Sequence, residues 1–329
     1  MHVKQDSGAA DQRPAASPSE ASNRRYVLIM PCRDEETYLQ QTLDCIAGQT
    51  VAPTELVIVD DGSSDRTGEI ADAAAAAHPW IQVIHRDNRG ERKVGGGVIE
   101  AFYTGYYALR VSDFAYICKI DADVTFAEDY FEQILERMEA DPCLGAASGK
   151  VFNPEGGKLY EERMVDEMVS GQVRFFRRAC WEQIGGFVPE VMWDGIDFHR
   201  ARMFGWTTRS FRDPELRILH HRLMGSSHRN VFHGRMRWGG GQWFMGTHPL
   251  YILASGVYRM FERPYVLGGL FIVVGYFVAM LQGKRRYDDA AFRKHLHAWQ
   301  LKRLGLGWLA PEPPAVGESG ERSGSGDDA

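Results

Sequence analysis

Four times within the first 140 residues a short apolar run gives way to apolar positions at helical spacing, and that alternation admits few folds. Residues 26–30 form the first run, closed by Pro31, after which Leu39, Leu43 and Ile46 recur at helical intervals until Gly48. Residues 56–59 lead into an alanine-rich stretch to about Ala77, which Ser64 or Asp65 can cap. Residues 81–84 lead to Val98, Phe102, Gly105 and Leu109 on one helical face, and residues 114–120 to a stripe of Tyr130, Phe131, Ile134, Leu135 and Met138. Apolar runs of this length read as strands covered on both faces. Their alternation with helices implies crossover connections and a mostly parallel, Rossmann-like α/β sheet with helices on both sides.

Two of these runs end in paired carboxylates, Asp60-Asp61 and Asp121-Ala122-Asp123. Singly, each pair is a common turn or helix cap. Both, however, fall at the carboxyl ends of predicted strands, where sheets of this type bind their ligands. Two carboxylates there suit a hard divalent cation, Mg²⁺ or Mn²⁺, that completes its oxygen shell with the phosphates of a nucleotide diphosphate.

The net charge of −6 argues against a nucleic-acid binder, although basic residues thicken between Arg200 and Arg237, where an anionic substrate or a membrane surface is the expected partner. The five cysteines show no Cys-x-x-Cys spacing and sit mostly in apolar runs, which implies reduced thiols and a cytoplasmic setting. The polar residues 1–24 and 309–329 read as disordered tails.

With these motifs in view, residues 25–222 resemble the family 2 glycosyltransferases, inverting enzymes of the GT-A fold. VLIMPCRDEE (27–36) resembles the family's first strand and acidic segment, and VIVDDGSSD (57–65) matches its signature almost letter for letter. The resemblance implies a UDP-sugar donor whose uracil or ribose meets Asp60 or Asp61, in a base pocket shaped by Pro31, Arg33 and Glu35. NRG (88–90) is similar to the next family motif, whereas ERKVGGG (91–97) departs from it, with Arg92 and Lys93 as phosphate contacts. Asp121-Ala122-Asp123 stands at the family's metal motif, which implies Asp123 as a direct ligand of Mn²⁺ or Mg²⁺ and Asp121 on the ribose or a bound water.

RACWEQIGGF (178–187) is similar to the segment lining the acceptor side, which puts Trp181, Phe187 and Trp193 near the acceptor. The family's base comes from a Glu-Asp pair opening a helix that ends in Gly-aromatic. Counting back from Gly205-Trp206 places Trp193 at the Glu and Asp194 at the Asp, so Asp194 is expected to take the acceptor proton, with Asp197 in reserve. His220 and His221 lie where related enzymes place a histidine near metal or diphosphate.

Residues 25–225 are thus expected to form the GT-A domain, with a nucleotide-binding half to residue 125 and an acceptor half beyond it. Residues 226–308 are expected to be helical, with a membrane-associated part at 249–283. The charge-free run 265–282, followed by Lys284, Arg285 and Arg286, is near the lower limit for a spanning helix; a re-entrant or interfacial hairpin with residues 249–261 keeps both ends cytoplasmic. Core or homo-oligomer packing is the other reading. The implied function is transfer from a UDP-sugar to a lipid-linked or growing polysaccharide acceptor at the cytoplasmic face of a bacterial inner membrane. Sugar-nucleotide synthesis and an inactive partner subunit of a membrane polysaccharide complex are the competing functions.

Overall fold

The first apolar run becomes the middle of the sheet. In the computed structural model, which describes residues 23–88, 90, 96–222, 231–261 and 265–311, strand β1 (Tyr26–Cys32) is buried along its whole length. It pairs in parallel with β2 (Glu55–Asp60) on one side and β4 (Tyr116–Ile120) on the other, and β3 (Ile81–His85) continues the sheet beyond β2. The crossovers run through α1 (Leu39–Ala47), α2 (Thr67–Ala77) and α3 (Gly96–Tyr107). Because successive strand residues face opposite ways, Tyr26, Leu28 and Met30 enter one apolar cluster while Val27 and Ile29 enter another across the sheet. Gly105 seats α3: a Cβ there would stand 2.8 Å from Ile29 Cγ2.

The second half adds β5 (Val124–Thr125), α4 (Tyr130–Ala140), β6 (Leu144–Gly149), β7 (Val151–Glu155), β8 (Lys158–Glu161), β9 (Val173–Arg177), α5 (Arg178–Ile184), α6 (Trp193–Met203), β10 (Thr207–Phe211) and β11 (Ile218–His220). The main sheet runs β10-β6-β9-β4-β1-β2-β3, with β9 antiparallel to both neighbours; a small sheet, β5-β11-β7-β8, flanks it. The sequence reading loses its alternation after Gly149 and misses β9, whose VRFFR carries two arginines that are each only 1% exposed. At the start of α2, Asp65 accepts the Thr67 N–H at 3.0 Å, although Arg66 occupies the cap position. All five cysteines are free thiols.

Four helices follow: α7 (Val231–Met245), α8 (Pro249–Arg259), α9 (Leu267–Leu281) and α10 (Ala290–Arg303). Glycines bring α7 and α9 together, since a Cβ on Gly275 would lie 2.1 Å from the Met236 carbonyl oxygen. Phe292 and Leu296 of α10 pack with Ile196 of α6 and Met245 of α7. The charge-free run yields a 15-residue helix, about 23 Å long against a hydrocarbon core of about 30 Å. Among the described residues no helix is long and apolar enough to cross a membrane. Most of the two expected tails lies outside the described residues.

Candidate active site

The carboxyl ends of β1, β2 and β4 form one edge, and the first carboxylate pair is held there by basic side chains. Gly62 makes the turn after β2 at φ +74°, so tight that a Cβ would stand 2.5 Å from Asn88 Cα. The turn aims Asp60 inward, where Oδ1 accepts the Ser63 N–H at 2.9 Å and Oδ2 lies 3.0 Å from His85 Nδ1. Hydrogen bonds to Asp60 and Asp72 raise the His85 imidazole above its ordinary value. Asp61 pairs with Arg86 at 2.7 Å, and Arg33 donates to the Asp61 carbonyl at 3.1 Å and to Asn88 Oδ1 at 3.0 Å. Pro31, buried in β1, lies opposite Val59 in the ladder. Arg92 and Lys93 lie outside the described residues.

The second pair sits among cations. Lys119, the one charged residue in β4, is 3% exposed; its ammonium group bonds Asp121 Oδ1 and donates to the Gly171 carbonyl at 2.8 Å. Asp123 faces His220 Nε2 at 3.4 Å, and the other ring nitrogen of His220 lies 3.3 Å from Glu162. Burial opposes protonation of His220, but its hydrogen bonds to Asp123 and Glu162 push the imidazole up to about 10. Burial alone would raise Asp123; His220, Arg222 and Lys119 instead hold its carboxyl below the usual range. Arg222 ties the two halves of the edge together, with Nη2 2.6 Å from Glu35 Oε2 and Nε 3.8 Å from Asp123. Thr42 fixes the loop by donating to the Ala122 carbonyl at 2.8 Å.

Two predicted assignments change here. His221 turns aside, with Nε2 2.9 Å from Thr125 Oγ1 and its ring stacked on Tyr38, so His220 is the histidine at Asp123. Trp181 and Phe187 are each 3% exposed and pack edge to face at 4.7 Å among Phe102 and Phe176. They belong to the core and present no ring to a sugar.

Helix α6 opens beside this edge. Met192 precedes it in the left-handed region at φ +72°, which turns the chain so that Trp193 and Asp194 are only partly buried, with the Trp193 ring edge to face on Phe187 at 4.8 Å. The Trp193 ring lies under two cations, Lys119 at 5.6 Å and Arg174 at 5.4 Å. Those cations are direct partners across the β4–β9 ladder. Arg174 also donates to the Asp194 carbonyl at 2.7 Å, while the Asp194 carboxylate accepts only a local bond among the described contacts, the Gly195 N–H at 3.0 Å. Asp197 is fully buried and locked to Arg174 by Nε–Oδ2 at 2.7 Å and a second short contact, so as a reserve base it is out of reach of any acceptor.

Lys119, Arg174, Glu162 and Arg86 were missed as site residues. The available signal was a lysine inside an apolar strand directly before the Asp-x-Asp.

Among the described residues no three His, Cys, Asp or Glu side chains form a ready metal cage. Asp121 and Asp123 are nevertheless the hard oxygen donors that Mn²⁺ or Mg²⁺ prefers, and their charge is already balanced by Lys119, His220 and Arg222. The donor set fits an ion that arrives with substrate oxygens and is too sparse for a resident structural metal.

The fold is that of a GT-A-type α/β enzyme. The Glycosyl transferase family 2 model matches residues 27–211, and the chain belongs to that family. It is 32% identical over 112 residues to the uncharacterized glycosyltransferase EpsJ of Bacillus subtilis, covering 34% of this chain and 30% of that protein. It is 27% identical over 122 residues to poly-beta-1,6-N-acetyl-D-glucosamine synthase of Staphylococcus aureus, covering 37% of this chain and 27% of that one. The match thus spans less than a third of either relative. A solved structure of GalNAc-T7 with UDP, GalNAc and Mn²⁺ shares the fold at TM-score 0.54 and 12% identity, covering 89% of this chain and 59% of that chain.

Proposed function

We propose that this protein transfers a sugar from a UDP-sugar to a lipid-linked or growing polysaccharide acceptor, with inversion, at the cytoplasmic face of a bacterial inner membrane. The observation that carries the reading is the single edge on which Asp60, Asp61, Asp121 and Asp123 gather, joined by Arg222 from Glu35 to Asp123. Resemblance to a polysaccharide synthase and to an enzyme crystallised with UDP supports the donor and product classes. Family membership favours transfer to an acceptor over nucleotidyl transfer, and retention of every motif aspartate favours an active enzyme over an inactive subunit.

In this reading Arg33, Asp60 and Asp61 take the uridine, with Arg86 and His85 fixing the two carboxylates. Asp121 and Asp123 would hold Mn²⁺ or Mg²⁺, which supplies charge neutralisation of the diphosphate as UDP departs. Lys119 and Arg222 stand on the same charge and lower its cost in a partly buried site. Asp194 takes the proton from the acceptor hydroxyl on the opposite side, and Trp193, partly buried beside it, offers a ring edge for the sugar. The test is a panel of UDP-sugars with Mn²⁺, incubated with the protein and with bacterial membranes as acceptor source. Sugar incorporated into lipid or polymer with stoichiometric UDP release is expected; UDP release from no donor in the panel contradicts the reading.

A further inference from the structure

The helices after the sheet carry a surface that the site chemistry does not use. Leu253, Val257 and Phe261 recur every fourth residue along α8 and just past its end, and Leu267, Leu270 and Val274 follow helical spacing on α9. All six are exposed, from 38% for Val274 to 79% for Phe261. The opposite sides of the same helices are buried, with Ile252 and Gly256 on α8 and Ile272, Gly275 and Tyr276 on α9. The helices touch backbone to backbone, since a Cβ on Gly269 would lie 2.1 Å from the Gly256 carbonyl oxygen. Val257 and Leu270, next in sequence to those glycines, therefore flank one seam. Tyr258 and Tyr265, both 61% exposed, add aromatic rings with polar tips at the same end of the hairpin.

Charge selects the occupant. Residues 231–289 hold seven Lys or Arg and three acidic residues, Glu262, Asp288 and Asp289, a net +4 within a chain of −6; Lys284 and Arg285 are exposed, the latter paired with Glu190. A second copy of the chain would set the same positive segment against itself. An anionic bilayer meets both features, accepting the apolar side chains at the acyl boundary and the basic groups among its headgroups. With α8 at 11 residues and α9 at 15, the hairpin lies along such a surface and does not cross it.

We propose that the α8–α9 hairpin is an in-plane docking surface for anionic membranes, with Leu253, Val257, Phe261, Leu267, Leu270 and Val274 as the inserted side chains. The inference stands on placement and charge and is independent of the donor chemistry.

The test is flotation of the full chain with vesicles of phosphatidylglycerol and phosphatidylcholine, compared with phosphatidylcholine alone. Wild type is expected to float with the anionic vesicles and to lose binding at high salt. The triple variant Val257→Ser, Phe261→Ser, Leu270→Ser is expected to partition about tenfold or more weaker while still unfolding in one cooperative transition, and Phe261→Ser alone, at 79% exposure, is expected to weaken binding with little change in melting temperature. Lys284→Glu, at an exposed position, is expected to weaken binding to anionic vesicles only. Wild type that ignores anionic vesicles, or a triple variant that floats as well as wild type, overturns the proposal. So does a lipid-free wild-type dimer that the triple variant splits, which would make this face a contact between copies.

Discussion

Arg174 on β9 and Asp197 on α6 form an ion pair in the protein interior, 2.7 Å from Nε to Oδ2, with the two side chains 1% and 0% exposed. The same guanidinium reaches the Asp194 carbonyl and lies against Trp193, so the pair sets where the opening turn of α6 meets the sheet edge. Arg174→Met leaves Asp197 buried without its partner and is expected to cost about 3–5 kcal/mol in urea unfolding. The double variant Arg174→Met, Asp197→Leu removes both charges and is expected to recover part of that loss. A single variant within 1 kcal/mol of wild type (~1, the size of an exposed pair) would mean the ion pair does not anchor α6.

Asp194 stands in the opening turn of the same helix, and among the described contacts its carboxylate accepts only the neighbouring Gly195 N–H. Asp194→Asn keeps that acceptor and the shape of the side chain while removing the basic site. Turnover is expected to fall by about 10²-fold or more, with UDP affinity and unfolding midpoint unchanged. Retained turnover in a steady-state assay moves the base elsewhere, and a large loss of stability makes Asp194 structural.

His199 is buried against Phe198, Phe292 and Trp299, and its Nδ1 has no hydrogen-bond partner among the described residues. Burial, aided by the nearby His295, pushes its imidazole down to about 3. Between pH 6.5 and that value the unfolded chain binds a proton that the folded chain refuses, so stability is lost as pH falls from about 6.5, by about 1.4 kcal/mol per pH unit. His199→Phe removes this term. Its loss between pH 6.5 and pH 5 is expected to be about 2 kcal/mol smaller than that of wild type. Equal losses in chemical denaturation at the two pH values would contradict a neutral, buried His199.

Gly275 tests the seam between α7 and α9. In an exposed helix interior, Gly→Ala gains about 1 kcal/mol. Here the added methyl would meet the Met236 carbonyl at 2.1 Å, so Gly275→Ala is expected to destabilise by about 1–3 kcal/mol instead. A stabilised variant in thermal unfolding would show that the helices separate freely.

The parallel half of the sheet was legible because β1, β2 and β4 are apolar runs ended by Pro31, Asp60 and Asp121, so the strands and the functional edge were marked by the same residues. Strand β9 was not legible, since Arg174 and Arg177 resemble surface charge until their buried partners are known. Trp181 and Phe187 failed in the opposite direction. An aromatic pair near an acceptor motif carries no mark of which way it faces, and here it packs against Phe102. The two adjacent histidines were likewise beyond sequence, because β11 ends with His220 toward Asp123, while His221 bonds Thr125.

The central claim is that the second carboxylate pair carries the donor diphosphate through a divalent cation, and Asp123→Ala tests it most directly. Calorimetric titration of UDP into wild type is expected to show binding that strengthens strongly with Mn²⁺, and into the variant binding that no longer responds to the ion. Equal UDP affinity in both proteins, with and without Mn²⁺, would contradict the assignment of Asp123 and the metal-assisted donor site built on it.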